Sequence, residues 1–134
     1  MASITTVGVI RGRDALFLDE AHYLPTSLRL VLRGDLTCSL CSLPPATTNF
    51  TPYELSFLGV CAFQVVELEL NGWQGESSFD EVHQSIWLTQ LSLQDHQQTL
   101  NPKHRHYAVQ TYDYVFNVIA KSYQLWLPSA ADSQ

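Results

Sequence analysis

The apolar residues of this chain come in short runs of period two, cut again and again by turn-forming residues. Leu28-Arg29-Leu30-Val31-Leu32 and Leu36-Thr37-Cys38-Ser39-Leu40 both alternate as half-buried strands do. Gly34-Asp35 between them reads as a hairpin, and burial chooses its register. A two-residue turn pairs Leu30 with Ser39 and Leu32 with Thr37, which wastes burial. A three-residue loop, Arg33-Gly34-Asp35, instead pairs Leu32 with Leu36, Leu30 with Cys38 and Leu28 with Leu40. That register gives one apolar face and is the expectation. It sends Cys38 to the core and Cys41 outward, because residues three apart on a strand face opposite ways.

Further strands are expected at Tyr53–Leu58 and Val60–Leu70, with a bend or bulge at Gly59. Phe63 and Val65 point one way and Val66, Leu68 and Leu70 the other, so a second bulge or bend is expected at Val65-Val66. Asn71-Gly72 is a strong turn signal. Ser78-Phe79-Asp80-Glu81 has capping-box spacing, which predicts a helical turn over 79–83 followed by a strand over 86–91. His106–Thr111, Val115–Ala120 and Tyr123–Leu127 are β-branched and aromatic and read as strands, the middle one also suiting a helical period. Pro44–Asn49 and Gln94–Lys103 are loops, and the tail 128–134 is expected to fray. The sum is a mainly β fold: an antiparallel sandwich or strongly bent sheet with at most one or two short helices, α+β being the variant. No repeat or linker divides residues 1–134, so one domain is expected.

Composition narrows the function. Apolar residues make up 46% of the chain, with three Trp, six Tyr and six Phe, enough for a core without metals or disulfides. Seven Lys and Arg against thirteen Asp and Glu leave a net charge of −6. The one basic cluster, Lys103-His104-Arg105-His106, is too short for a phosphate-binding face, which argues against nucleic acid. An acidic balance favours solubility and a basic partner. No run nears the ~18 apolar residues of a membrane span, and the first residues lack signal-peptide organisation. Together with an odd number of cysteines (Cys38, Cys41, Cys61), this gives the expectation of a cytoplasmic protein with reduced thiols.

The motifs that carry chemistry are sparse. Cys38-Ser39-Leu40-Cys41 has metal or redox spacing, but its two thiols are expected on opposite faces and no second such pair exists. His104 and His106 share a strand face and are the metal-ligand candidates, with His83, Asp95 or His96 as a third ligand. Lys103 and Arg105 would repel a cation there. With Tyr107 and Val109 facing inward, both histidines are expected in water, titrating near 6.5. Asp19-Glu20 and Asp80-Glu81 are adjacent and face apart, and Glu67 and Glu69 read as solvated. No nucleophile-elbow, P-loop or dinucleotide motif occurs. No catalytic residue and no cofactor is therefore assigned.

Tyr53-Glu54-Leu55-Ser56-Phe57-Leu58-Gly59-Val60-Cys61-Ala62-Phe63 and Tyr107-Ala108-Val109-Gln110-Thr111-Tyr112-Asp113, following a short hairpin, resemble small bacterial proteins of uncharacterised or toxin-immunity type. The resemblance is one of apolar spacing over about two-thirds of the chain. It implies a β-rich, non-catalytic, single-domain protein that works by binding, and an immunity role would set an acidic surface against a basic toxin. The alternative is a small enzyme or ligand-binding barrel with a pocket in the bent sheet. Self-association as a homo-oligomeric module is a third possibility, which a large apolar patch on one protomer would mark.

Overall fold

The computed structural model describes residues 1–71 and 77–128. Gly72, Trp73 and the 129–134 tail, each of which entered the sequence reading, lie outside the described residues. Among the described residues eight strands form two antiparallel sheets. The first has the order β1 (Leu16–Leu24), β2 (Arg29–Thr37), β3 (Phe50–Leu58), β8 (Ser122–Trp126). The second has the order β4 (Ala62–Glu67), β7 (Tyr114–Ala120), β6 (Arg105–Gln110), β5 (Phe79–Glu81). Two short helices complete it, α1 (Leu68–Asn71) and α2 (Ile86–Gln94). The mainly β antiparallel sandwich is the architecture that the alternation predicts.

The inner faces meet in one core. Leu30, Leu32, Leu36, Leu55 and Phe57 come from the first sheet; Phe79, Tyr107, Val109, Phe116 and Val118 come from the second. Phe57 meets Phe79 edge-on at 6.0 Å and Tyr107 at 5.5 Å, which locks the sheets together with oriented aromatic contacts.

Arg33-Gly34-Asp35 does not turn. β2 runs straight through it, with β1 on one side and β3 on the other. Gly34 is there because two backbones meet: a Cβ would lie 1.8 Å from the Phe17 carbonyl oxygen, beside the bulge between Leu18 and Glu20. The hairpin turn lies earlier, at residues 25–28, with Leu28 at φ +52°. The expected partners of Leu28 and Leu30 are thus replaced: Leu30 faces Tyr23 and Phe57. Cys38–Leu40 forms a 3-10 turn, not a strand, so strand alternation does not apply to Cys41, and that side chain is buried.

The chain changes sheets at Gly59, whose φ of +66° lets β3 end in one sheet and β4 begin in the other. The bend expected at Val65-Val66 is absent; β4 keeps an unbroken register with β7 from Ala62↔Ile119 to Glu67↔Tyr114. The expected order over 79–93 is reversed. Phe79–Glu81 is strand β5, because Phe79 is fully buried among core rings, and the Ser78 hydroxyl bonds the Gly12 carbonyl instead of capping a helix. The cap is Ser85, whose Oγ accepts the Leu88 N–H at 3.0 Å and opens α2. Helical periodicity did not reveal α2 because none of its residues is buried and its apolar side chains point all round.

Candidate functional site

His104 and His106 are buried, at 6% and 8% exposure, where alternation put them in water. The reason is that the outer face of the second sheet is also covered: β6 is buried from His106 through Gln110 on both faces. Each ring is committed to hydrogen bonds. His104 Nδ1 accepts the Asn101 N–H at 3.1 Å, and the Gly59 backbone also bonds the ring. His106 lies 2.6 Å from Ser85 Oγ through Nδ1 and 2.8 Å from Asn117 Oδ1 through Nε2. Asn117 Oδ1 can only accept, so Nε2 carries the hydrogen and Nδ1 accepts from the Ser85 hydroxyl. Trp87 packs edge-on against the same ring at 5.4 Å. Burial holds the pKa of both histidines below the usual value, and Lys121 near His104 adds to the effect there.

The serine, imidazole and amide are connected in the same order as a nucleophile, base and orienting group. The chemistry does not follow. Ser85 Oγ is occupied as the α2 cap, and a neutral amide cannot offset an imidazolium as a carboxylate does. An open groove of about 470 Å³ is lined by Glu81, His83, Ser85 and Thr89 together with His104 and His106. The network's evident work is to pin α2, which buries no residue of its own, to the sheet.

Two of the proposed third ligands lie near the histidine pair, His83 in the same groove and Asp95 close enough to His104 to act on its charge, but both are otherwise engaged. His83 bonds Glu81 at 3.3 Å, and Asp95 accepts the Thr99 and Leu100 N–H groups. Among the described residues no three His, Cys, Asp or Glu side chains assemble into a metal-holding group. Cys38, Cys41 and Cys61 are free thiols; burial, with Cys38 beside it, pushes Cys41 up to about 11. Cys61 is exposed and heads β4. Glu69 pairs with Arg13 at 3.7 Å, and Glu20 sits between His22 and Arg33.

The feature that sequence reasoning passed over is the edge strand β4. Among the described residues no strand pairs with its far side. Residues 62–66 carry no charge, proline or bulge, the devices that usually protect an edge. Phe63 and Val65 face the core side of the sheet, opposite Val118 and Phe116, yet remain 37% and 45% exposed because they overhang the first sheet. Tyr23 of β1 reaches across, 5.1 Å from the Phe63 ring. The run of uncharged, partly β-branched residues was the available signal.

Two of the other edges, β5 and β1, are managed. Residues 1–3 lie on β5, with Ser3 N–H on the Phe79 carbonyl at 2.9 Å and Glu81 N–H on the Met1 carbonyl at 2.8 Å. β1 carries the bulge and the charged Asp19 and Glu20. β8 is an edge as well: among the described residues no strand pairs with its far side, and the Tyr123 hydroxyl bonds the Ile4 carbonyl at 3.3 Å.

These features define an antiparallel β-sandwich whose β4 edge, among the described residues, is unpaired and flanked by exposed apolar side chains. No family model, curated protein or solved structure matches the chain. Among the described residues no helix is long and apolar enough to cross a membrane.

Proposed function

We propose that this is a non-catalytic protein-binding module whose ligand adds a strand to β4. The observation that supports this reading is the edge itself: backbone groups that no described strand pairs with, flanked by exposed Phe63 and Val65, the two ingredients of strand addition. Backbone bonds supply affinity and the two apolar side chains supply register. The net charge of −6 favours a basic partner, as a toxin would be for an immunity protein, with the work done in a bacterial cytoplasm.

The test places a photo-crosslinking residue at Val65 in the source cell, identifies the adduct, and then measures binding of the purified pair. Val65→Lys should weaken that binding at least about tenfold, since a lysine now sits where an apolar side chain must dock. No adduct, or equal binding by Val65→Lys, would overturn the reading.

A further inference from the structure

We infer that, when no other partner is present, the β4 edge closes on a second copy of this chain, joining two four-stranded sheets into one of eight strands. The inference rests on the strand-addition reading and names a first occupant for the same edge.

Backbone geometry decides whether self-pairing is possible. Leu68 N–H bonds the Asp113 carbonyl, in step with the β4–β7 register. Hydrogen bonding alternates along an antiparallel strand. Ala62, Gln64 and Val66 therefore turn their backbone groups to β7. Phe63, Val65 and Glu67 present theirs to the open edge.

A two-fold axis perpendicular to the sheet keeps inner faces on one side, so partner residue numbers must sum to an even number. With Gln64 on the axis, Phe63 meets Val65 of the second copy and Ala62 meets Val66. Phe63 and Val65 are the residues with free backbone groups, so each such pair exchanges both hydrogen bonds. The inner face gains an aromatic–β-branched contact, and the outer face gains an apolar one. No charge lies within this span, and Glu67 falls opposite Cys61. Centring on Val65 instead sets Phe63 against Glu67, which wastes the ring. Centred on Gln64, the strand is self-complementary over the whole of residues 62–66.

The dimer is weak by construction. A six-residue strand pair buries less than the ~1,200 Å² of a standard stable interface, and two chains of −6 repel. Salt screens that repulsion, so self-association tightens as ionic strength rises. Binding of a basic partner loosens under the same change, and the two occupants compete for one edge.

The experiment uses the full chain with Cys61→Ser, so that exposed thiol chemistry is confined to the probe. On the axis, Gln64 and its copy are a non-hydrogen-bonded pair with Cα atoms about 4.5 Å apart, within disulfide reach. Gln64→Cys should oxidise to a covalent dimer at least about tenfold faster than Val65→Cys, whose two copies sit on a diagonal about 7–8 Å apart. Sedimentation over about 10–500 µM should show mass rising toward two chains, more steeply at high salt, and Val65→Lys should abolish the rise. A single-chain mass throughout, a mass unchanged by Val65→Lys, or Val65→Cys crosslinking as fast as Gln64→Cys overturns the inference. If position 65 captures a different protein while the free chain stays monomeric, this inference fails and the strand-addition reading stands. If the dimer forms and no other protein docks at position 65, the converse holds.

Discussion

At the β5 end of the second sheet, residues 1–3 complete the backbone pairing, and the segment carrying α2 is pinned over β6 through Ser85, His106 and Asn117. At the β4 end of the same sheet, Phe63 and Val65 overhang solvent with their edge unpaired among the described residues. One side spends buried polar groups and a length of chain on closure, and the other spends nothing. Closure of this kind is what a sheet needs to avoid pairing with strangers. Its omission at β4, beside the exposed Phe63 and Val65, is the observation behind the proposal that a partner adds a strand there.

Substitutions on the covered side should therefore damage the fold, and those on the open side should not. The interior that both sides share sets the scale: Leu30→Ala should cost about 2–5 kcal/mol in denaturant unfolding, because a fully buried leucine leaves a cavity. A loss under about 1 kcal/mol would mean that β2 is not the central strand. Ser85→Ala comes next, at about 1–3 kcal/mol, since it leaves the Leu88 N–H without its cap and His106 Nδ1 without its donor. Ser3→Pro removes the N–H that bonds the Phe79 carbonyl and should cost about 1 kcal/mol. Wild-type stability in either variant would make the covered side no better secured than the open one.

Acid should act on the covered side as well. His104 and His106 have native pKa values below the unfolded-chain value of about 6.5. Below pH 6.5 the unfolded chain takes up protons that the native rings resist, so stability is full above about 6.5 and falls as pH drops from there toward the native values. Unfolding midpoints should thus fall as the pH drops below about 6.5. His106→Gln, which carries no titrating ring, should flatten part of that fall. An unchanged slope would show that the ring is not held neutral by burial.

Much of this frame was legible in the chain, and the misses share a cause. Tyr53–Leu58, His106–Thr111 and Tyr123–Leu127 were readable as strands because β-branched and aromatic residues suit a pleated, half-buried surface. Arg33-Gly34-Asp35 misled because turn chemistry and close backbone approach both call for glycine, and only the neighbouring strand tells them apart. The histidines misled because alternation assumes one wet face, whereas β6 is covered on both. α2 was hidden because its cap is local but its support is a hydrogen bond to His106, 21 residues away. The β4 edge needed no long-range fact beyond being an edge, yet nothing in residues 62–66 says which strands they pair with.

The smallest expected effect is the most discriminating. Val65 is 45% exposed and lies on an edge strand, so Val65→Lys removes little buried area and places its charge in water. Its effect on unfolding should stay within about 0.5 kcal/mol, the usual range for surface positions. Edge lysines are in any case the ordinary device by which sheets refuse a neighbour. A folded, stable Val65→Lys protein that no longer self-associates separates the two roles of β4: it is dispensable as packing and required as an interface. If the variant instead loses several kcal/mol, position 65 is buried against something within the chain. The contrast between the two ends of the sheet then disappears, because β4 would be as closed as β5.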